Sequence, residues 1–521
     1  MAQSAFAYGQ DTLTVRKVLS IVNGSTKGVL SDAVLQKVAT SATDVESIAT
    51  GEASVYGINT GFGPLCTTKI SPGQTRELQR NILMSHAAGV GNNLSTPLVK
   101  SMLILKIQAL AHGYSGIQPE TLHRILWHIQ EDVLPVVPEK GSLGASGDLA
   151  PLAHLFLPLI GMGQVTVKGK IYDAGEYLKK EGLEPLELHA KEGLALINGT
   201  QFMLAHAVAI VDRLHNCLTH ADLIGALMLD ALKGSSKPFA PELHALRPFP
   251  GTVHVAHQLQ HFLAGSQIML SHENCTRVQD PYSLRCMPQV HGASRHAWLH
   301  LKEMVNIELN AVTDNPVIFN AHHSISGGNF HGQPLALPLD YVGLAAAELG
   351  NIADRRIYLS LEGKTEGVPT LLMAETGVNS GFMVPQYTSA ALVSENKSLC
   401  YPASADSIPT SLGQEDHVSM GSISGRKTLQ IIDNVEQILG IEMCCAAQAL
   451  DFHFPLKSAP LLQECHALIR EKISFAERDR IFSDDLAAAK ALLQQRKLTN
   501  LIKQTSTNAN KSSFHSLFET F

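Results

Sequence analysis

Three long segments of the chain carry the apolar spacing of α-helices that are buried on more than one face. They span residues 199–234, 338–364 and 422–453, and the first of them contains no proline. A fourth helical segment, residues 294–316, ends at a proline, as helices often do. A helix that is apolar on several faces needs neighbours around most of its surface. We therefore expect a mainly α fold, in which long helices form a large bundle that is shared between subunits.

The first 200 residues have a different pattern. Short strand-like runs, of which residues 163–174 are the clearest, interrupt the helical spacing. The helical segments of this part are residues 75–89, 97–113 and 120–135. We therefore divide the chain into a mixed N-terminal region, residues 1–200, and a long-helix bundle with a C-terminal region, residues 201–521. The polar stretch 505–521 is expected to be a loosely held tail.

Composition argues against several kinds of partner. The formal net charge is −7, and 45% of the residues are hydrophobic and 17% charged, with no long basic run. These values favour a well-buried soluble enzyme that binds neither nucleic acid nor an anionic membrane. The N-terminus lacks the pattern of a signal peptide, and the eight cysteines have no CxxC pair or zinc-like spacing. We expect a cytoplasmic protein with free thiols and no metal site.

The stretch GSLGASGDLAPLAHL, residues 141–155, allows two interpretations. In the first it is a flexible turn, with Ser146 or Asp148 capping the next helix. In the second it is the precursor of an electrophile. Attack of the Gly147 amide nitrogen on the Ala145 carbonyl would close a five-membered ring, and glycine leaves that approach open. Loss of water, including the Ser146 hydroxyl, would then leave an electron-poor methylene carbon.

This stretch resembles the prosthetic-group loop of the aromatic amino acid ammonia-lyases, which make a methylidene-imidazolone (MIO) from Ala-Ser-Gly. Six further stretches match that family in order. They are VYGINTGFG (55–63), MSHAAGVG (84–91), LALINGTQ (194–201), QDPYSLRC (279–286), GGNFHG (327–332) and GQEDHVSMG (413–421). The resemblance implies a mostly helical homotetramer with a long-helix bundle of the ammonia-lyase and fumarase-like type. It also implies active sites built from three chains, an MIO from Ala145, Ser146 and Gly147, and no external cofactor.

The resemblance also implies catalytic roles outside that tripeptide. Tyr56, on a mobile lid loop within residues 1–200, removes the β-proton of the substrate, which requires a lowered phenol pKa. Asn198 assists ring formation and holds the substrate, although by itself it is also a natural cap for the following helix. Tyr282 orients the ring and the substrate. Gln279, from the same loop, is predicted to bind the substrate and to form a hydrogen bond near the ring.

The remaining matched residues are predicted to bind the substrate. Arg285 grips its carboxylate, a bidentate role that a lysine would not copy, and Phe330 lies beside the ring. His86 faces the substrate side chain, at a position where histidine- and tyrosine-specific members have histidine. Glu415 is typical of histidine-specific members, many of which have Ala-Asn where this chain has Leu412-Gly413. His86 and Glu415 together indicate L-histidine as the substrate.

The predicted reaction is elimination of ammonia from L-histidine to give trans-urocanate, a carbon–nitrogen lyase step of histidine catabolism. A tyrosine- or phenylalanine-specific lyase would share every residue except the argument from Glu415. An MIO-dependent aminomutase would return the ammonia to Cβ. A fourth hypothesis is an inactive helical scaffold. The intact tripeptide, together with Tyr56 and Arg285, argues against it. The Gly-Ser-Ser-x-Met-Pro loop of fumarase-like lyases is absent, as are hydrolase, zinc-protease and dinucleotide motifs.

Overall fold

The computed structural model describes residues 4–63, 67–273, 278–505 and 511–521 of the chain. Up to residue 200 the fold mixes short helices with short strands. The helices are α1 (Val15–Val22), α2 (Asp32–Thr50), α3 (Pro72–His86), α4 (Thr96–Ala111), α5 (Pro119–Gln130), α6 (Leu149–Phe156), α7 (Ala174–Lys180) and α8 (Glu192–Ile197). The strands are β1 (Ser4–Ala7), β2 (Thr26–Val29), β3 (Val90–Asn93), β4 (Leu134–Pro135), β5 (Pro138–Lys140), β6 (Gln164–Val167) and β7 (Lys170–Asp173).

These strands form small separate sheets. β1 pairs with β2 in parallel, β3 pairs with β5 antiparallel, and β4, β6 and β7 form one antiparallel sheet in that order. The strand-like run at 163–174 is confirmed as the hairpin of β6 and β7. Its turn residues Lys168 and Gly169 both have positive φ, 49° and 78°, as a tight hairpin turn of that hand requires.

The rest of the chain is dominated by long helices. The helices are α9 (Gln201–Ala231), α10 (Pro241–Ala245), α11 (Pro250–Leu263), α12 (Gln267–Ser271), α13 (Tyr282–Arg285), α14 (Met287–Glu308), α15 (Gln333–Ser360), α16 (Met383–Leu399), α17 (Gly421–Asp451), α18 (Pro460–Arg470), α19 (Phe482–Gln494), α20 (Lys497–Thr505) and α21 (His515–Glu519). One antiparallel hairpin interrupts them, β8 (Val317–Asn320) with β9 (His323–Ile325).

The centre of the bundle is α17, which packs against α9, α15, α16 and α19. α14 packs against α9, α11 and α15. Nearly every side chain of α9 is buried, which accounts for the apolar residues on all of its faces. The expectation of a mainly α fold built on a long-helix bundle is confirmed. No helix in the described part of the chain is both long and apolar enough to cross a bilayer.

Two helices begin earlier than the sequence pattern indicates. α14 starts at Met287 with Pro288 in its first turn, and α15 starts at Gln333 with Pro334 in its first turn. Proline is tolerated there because the first N–H groups of a helix have no partner inside the helix. The predicted end of the 294–316 helix is wrong, since α14 stops at Glu308.

The predicted boundary at residue 200 falls directly before α9, but the hydrophobic core does not stop there. A single cluster of buried side chains contains Leu103 of α4 and Phe156 of α6 together with Phe202 of α9 and Leu439 of α17. The division into residues 1–200 and 201–521 therefore describes a change of architecture along the chain, and as a division into domains it stays a prediction.

Residues 511–521 pack into the bundle. Phe518 of α21 is completely buried, and the Lys302 ammonium of α14 donates hydrogen bonds to the carbonyls of Leu517 (2.9 Å) and Thr520 (3.2 Å). The expectation of a loosely held tail is therefore wrong for these residues. The intervening residues 506–510 lie outside the described residues.

Glu519 places its carboxylate in a buried basic cluster. Its Oε1 accepts hydrogen bonds from His254 Nε2 (3.0 Å) and Arg295 Nη1 (3.2 Å), and its Oε2 lies 3.1 Å from His215 Nε2. Arg295 also pairs with the buried Asp222. Burial opposes ionisation of Glu519, but the hydrogen bonds from His215 and His254 and the charge of Arg295 outweigh it. They hold the pKa of this carboxyl well below its ordinary value.

We expect a Glu519→Gln chain to be less stable than the unsubstituted chain at pH 7 by about 1.5 to 3 kcal/mol, because charged hydrogen bonds to the carboxylate are lost while Arg295 keeps its ion pair with Asp222. The lowered pKa means that the ionised carboxyl stabilises the fold above about pH 4.3, the ordinary glutamate value. This contribution is lost as the pH falls through the folded-state pKa. The difference between the two chains should therefore shrink on acidification. Hydrogen exchange of residues 511–521 measures it.

Ser516→Ala is the matched control, because Ser516 is an exposed residue of the same short helix. We expect it to change the free energy of unfolding by less than about 0.5 kcal/mol at every pH. Equal protection of residues 511–521 in Glu519→Gln and the unsubstituted chain at pH 7 would contradict the ion-pair assignment.

Candidate active site

A cavity of about 830 Å³ lies between loops from both parts of the chain. The lid loop and the end of α3 line it together with the Ala-Ser-Gly loop and the segments around 326–331 and 411–417. Seven of the predicted site residues line this cavity. They are Tyr56, His86, Ala145, Ser146, Asn198, Phe330 and Glu415. The folded chain therefore brings together residues that lie up to 359 positions apart in sequence (415 − 56).

The Ala-Ser-Gly loop makes a tight turn at Gly147. This residue has φ +74° and pairs with Gly199 in an isolated parallel bridge. A Cβ atom at Gly147 would lie 2.2 Å from the Gly199 carbonyl oxygen, so only glycine fits. The next amide, that of Asp148, donates a 2.7 Å hydrogen bond to the same oxygen. Gly147 itself does not line the cavity and lies behind Ala145 and Ser146.

Asn198 contacts this loop directly. Its Nδ2 donates a 2.6 Å hydrogen bond to the main-chain carbonyl of Ser146. The alternative interpretation, a cap for the following helix, is wrong, because Asn198 closes α8 and Thr200 stands at the start of α9. The Asn198 Oδ1 atom is buried and has no hydrogen-bond partner within the described part of the chain.

Asp148 anchors the loop to the bundle. Its carboxylate accepts hydrogen bonds from the amides of Phe202 (3.1 Å) and Met203 (3.0 Å) in the first turn of α9. It also accepts them from the hydroxyls of Ser422 (2.6 Å) and Ser142 (3.2 Å). Burial raises the pKa of Asp148 to about 6, against the effect of these hydrogen bonds. The side chain thus caps α9 and makes no capping bond to α6, which follows it in sequence.

Glu415 contacts the hydroxyl of Ser146, the middle residue of the tripeptide predicted to form the ring. Its Oε1 accepts a hydrogen bond from Ser146 Oγ. Its Oε2 accepts hydrogen bonds from the hydroxyls of Thr410 (2.8 Å) and Ser411 (2.9 Å). The carboxylate is therefore fixed from one side by its own segment and points its other oxygen at the Ala-Ser-Gly loop. Leu412, where the sequence departs from many histidine-specific members, is 94% exposed and does not line the cavity.

His86 ends α3 at the cavity wall. Burial lowers the pKa of this imidazole, although the hydrogen bond to the Ile82 carbonyl and the charge of Glu415 act in the opposite direction. Ser85 Oγ lies 3.0 Å from its Nδ1. Because the ordinary value is about 6.5, the ring is neutral at pH 7. A neutral imidazole can donate a hydrogen bond to a polar substrate or accept one from it.

Tyr56 lies on the loop expected to be the lid. Its hydroxyl accepts a 3.3 Å hydrogen bond from the Gly63 amide. The base of the loop is fixed by the buried Asn59, whose side chain accepts from the Val55 amide (2.8 Å) and donates to the Ala53 carbonyl (2.9 Å). Residues 64–66, which continue the loop, lie outside the described residues. The expected mobility of the lid stays a prediction.

Gln279, Tyr282 and Arg285 do not line the cavity of this chain. Gln279 is exposed and Tyr282 is 71% exposed. The Arg285 guanidinium lies 4.5 Å from the centre of the Tyr282 ring and its Nε donates to the Asp280 carbonyl (2.9 Å). All three therefore stand on the outside of the single chain. That placement agrees with the expectation that active sites are assembled from several chains, and their roles stay predictions.

Sequence reasoning missed three residues that hold the site together. Asp148 was considered only as a possible cap of the next helix, and Thr410 and Ser411 were not considered. A buried carboxylate between a glycine-rich loop and an apolar helix was an available signal, since such a group requires several hydrogen-bond donors. In the described part of the chain, no group of three histidine, cysteine, aspartate or glutamate residues is placed to hold a metal ion.

Comparison with known proteins places the chain in a family. The model of the aromatic amino acid lyase family matches residues 13–471. A histidine ammonia-lyase of Stigmatella aurantiaca is 46% identical over 494 residues, which cover 95% of this chain and 97% of that protein. One of Sorangium cellulosum is 48% identical over 480 residues, covering 90% and 93%. This chain belongs to the aromatic amino acid lyase family, as the resemblance in its sequence predicts.

Solved structures agree with this assignment. The crystal structure of a histidine ammonia-lyase from Trypanosoma cruzi superposes with a TM-score of 0.90 at 36% identity, covering 99% of this chain and 97% of that one. A tyrosine aminomutase from Streptomyces globisporus superposes with a TM-score of 0.90 at 33% identity, covering 96% of this chain and 99% of that one. The predicted ammonia-lyase type of helical fold is therefore confirmed, and the fold is shared by lyases and aminomutases.

Proposed function

We propose that this protein eliminates ammonia from L-histidine and releases trans-urocanate. The observation that carries the proposal is the contact between Glu415 and Ser146 at one wall of a cavity that His86 also lines. A carboxylate acceptor and a neutral imidazole are suited to a substrate side chain that carries a ring N–H. The histidine ammonia-lyase names of relatives at 46–48% identity support the same substrate.

The residues of the loop fit an MIO. The contact between Gly147 and Gly199 leaves no room for a Cβ atom, so only glycine fits there. Asn198 donates a hydrogen bond to the Ser146 carbonyl. We propose that Gly147 N bonds to the Ala145 carbonyl carbon and that its amide proton passes to the Ala145 oxygen. This oxygen leaves as water with the Ser146 amide proton. The Ser146 hydroxyl leaves as a second water with the Ser146 Hα. When formed, the MIO supplies an electrophilic methylene carbon that makes the substrate amine a better leaving group.

The other residues of the cavity then bind and orient the substrate. Glu415 accepts a hydrogen bond from the imidazole N–H, and its Oε1 becomes available once the Ser146 hydroxyl is gone. His86 forms a second hydrogen bond to the same ring, and Phe330 packs beside it. Tyr56 removes the β-proton. Because C–H acidity is low, positioning of the reacting groups has to supply much of the rate.

We further propose that the protein is a cytoplasmic homotetramer in which other chains complete each site. Arg285 is the residue proposed to bind the substrate carboxylate, with Tyr282 and Gln279 nearby, and all three lie outside the cavity of their own chain. An exposed surface of α15 also supports an assembly of several chains, since Leu337, Tyr341 and Leu344 are about half exposed along one side of that helix. A row of apolar side chains of this kind is typical of a subunit interface. Neither nucleic acid nor membrane is a proposed partner.

A shared site has a direct consequence for mixed assemblies. Ser146→Ala and Arg285→Ala chains should each be nearly inactive alone. When the two are co-expressed, some sites combine an intact Ser146 from one chain with an intact Arg285 from another, so activity should return to a substantial fraction of the unsubstituted level. Turnover of L-histidine by the separate and co-expressed proteins measures this.

Mixing Ser146→Ala with Glu415→Ala chains is the matched control, because both residues line one chain's cavity. In this mixture every site takes both residues from the same chain, so no site has both intact. Its activity should not rise above that of the separate proteins. Equal failure of both mixtures to recover activity would contradict a site shared between chains.

The substrate is tested by incubating the purified protein with L-histidine, L-tyrosine and L-phenylalanine in parallel, following near-ultraviolet absorbance and ammonia. Urocanate and ammonia from histidine, with far slower turnover of tyrosine and phenylalanine, are the expected result. Activity confined to tyrosine or phenylalanine would contradict the role of Glu415. A β-amino acid product without ammonia would identify an aminomutase, and inactivity on all three would favour the scaffold.

A further inference from the structure

Lys106 is a buried lysine behind the candidate site that the chemistry above does not use. It lies in α4, and only 1% of its surface is exposed. Its Nζ donates a 2.6 Å hydrogen bond to the main-chain carbonyl of Asn198. Burial lowers the pKa of this ammonium to about 7; the charge of Lys191 acts in the same direction, and those of Asp314 and Asp148 oppose it.

A lysine at such a position requires a reason. Its neighbours in α4 include Met102, Leu103, Ile107 and Leu110, all buried and apolar. An aliphatic side chain could be buried among them without the free-energy cost of removing a charged group from water. Buried charged groups are costly unless they are paired or hydrogen-bonded. The group that Lys106 contacts is a carbonyl of the segment that supports the Ala-Ser-Gly loop.

Two hydrogen bonds connect Lys106 to the tripeptide. The first joins Lys106 Nζ to Asn198 O (2.6 Å), and the second joins Asn198 Nδ2 to Ser146 O (2.6 Å). The residue after Asn198 is Gly199, whose carbonyl accepts the Asp148 amide at 2.7 Å and which pairs with Gly147. Residues 198 and 199 therefore contact Lys106 through the Asn198 carbonyl, and the Ala-Ser-Gly loop through the Asn198 side chain and the Gly199 carbonyl.

We propose that Lys106 is a positioning residue for formation of the MIO. Its hydrogen bond to the Asn198 carbonyl positions two groups. The first is the Asn198 side-chain amide, which donates to Ser146 O, and the second is the Gly199 backbone, which pairs with Gly147. Ring closure requires the Gly147 nitrogen to approach the Ala145 carbonyl carbon, and a loosely held Asn198–Gly199 peptide lets the loop relax away from that approach. This inference rests on the proposed function, since it concerns the same prosthetic group.

The chain offers a matched control in the same helix. Lys100 is also buried, with 7% of its surface exposed, and its Nζ donates a 2.5 Å hydrogen bond to Asp132 Oδ1. It is a lysine of α4 with a single-carboxylate partner, and it does not line the cavity. Loss of charge from a buried lysine of this helix is therefore tested separately from loss of the contact to Asn198.

The experiment compares the intact masses of the purified unsubstituted, Lys106→Met, Lys106→Gln and Lys100→Met chains, with far-ultraviolet circular dichroism to establish folding. Ring formation lowers the mass of the chain by that of two water molecules. We expect the unsubstituted and Lys100→Met chains to show the loss completely. Lys106→Met should fold and show it in a minority of chains, with kcat for L-histidine lowered about tenfold or more and KM nearly unchanged. Lys106→Gln keeps an N–H donor, so the ring should form in a larger fraction of its chains than in Lys106→Met.

Complete loss of two waters in a folded Lys106→Met chain would overturn the inference, whatever its activity. If Lys106→Met does not fold, Lys106→Gln is judged by the same criterion. Failure of both to fold would also overturn it, because the lysine would then serve the whole fold. Absence of the mass loss in the unsubstituted chain would instead overturn the proposed function itself.

Discussion

A Ser146→Ala chain should fold like the unsubstituted chain and lose its activity on L-histidine by a factor on the order of 10³ or more. Alanine lacks the hydroxyl whose departure creates the electron-poor carbon, so no ring of the proposed kind can acquire its methylene group. The cavity and its other residues remain. Ser146 is only half-buried, and the hydroxyl makes one described hydrogen bond, to Glu415, so the substitution has a small effect on packing.

Two readouts establish the result. The intact mass of Ser146→Ala should lack the loss of the second water, and turnover of L-histidine should fall while helical content is unchanged. Ser142→Ala is the matched serine in the same loop. Its hydroxyl contacts Asp148 at 3.2 Å but contributes no atom to the ring, so we expect the ring to form and activity to fall by no more than about tenfold. Full activity of Ser146→Ala would contradict the electrophile.

A Glu415→Ala chain should lose about 100-fold in kcat/KM for L-histidine. A hydrogen bond to a charged group contributes about 1.5 to 3 kcal/mol. Without the Glu415 carboxylate the imidazole N–H of the bound substrate has no acceptor, which weakens binding of L-histidine. Glu415→Gln keeps an acceptor oxygen without the charge, so its loss should be smaller. Thr410→Val, which removes one of the donors to Oε2, should give the smallest loss of the three.

Specificity distinguishes this role from a general one. The loss should be confined to L-histidine, since L-phenylalanine has no ring N–H for Glu415 to accept, and kcat/KM measured on both substrates tests this. The mass of each variant must also show the loss of two waters. An equal fall on all substrates, or a chain without the ring, would assign Glu415 to the Ser146 hydroxyl that it contacts and would remove it from substrate recognition.

Features that depend on neighbouring residues in sequence were predictable. The apolar spacing of 199–234 and 422–453 places α9 and α17 within three residues of their observed ends, because burial on all sides leaves a periodic trace. The hairpin of β6 and β7 follows from alternating residues around Lys168-Gly169. Matching motifs also brought Tyr56, His86, Ser146 and Glu415 to one cavity, although this required the family resemblance and not periodicity.

Features that depend on a distant partner were not predictable. Nothing near Asp148 in sequence indicates that its carboxylate caps α9, since the amides it binds are those of Phe202 and Met203. Lys106 reads as one polar residue in an apolar helix, and its partner lies 92 positions away. The tail was misjudged for the same reason, because polar composition does not reveal that Phe518 and Glu519 have buried partners in α9, α11 and α14.

The cluster around Glu519 also bears on how the chain acquires its fold during synthesis. His215, His254 and Arg295 leave the ribosome long before Glu519, which is 265 residues after His254 and 224 after Arg295. Until then the basic groups among α9, α11 and α14 lack this carboxylate. Contacts across such separations form late and slow folding. We therefore expect the basic groups of α9, α11 and α14 to stay hydrated until α21 has been synthesised and packs against them.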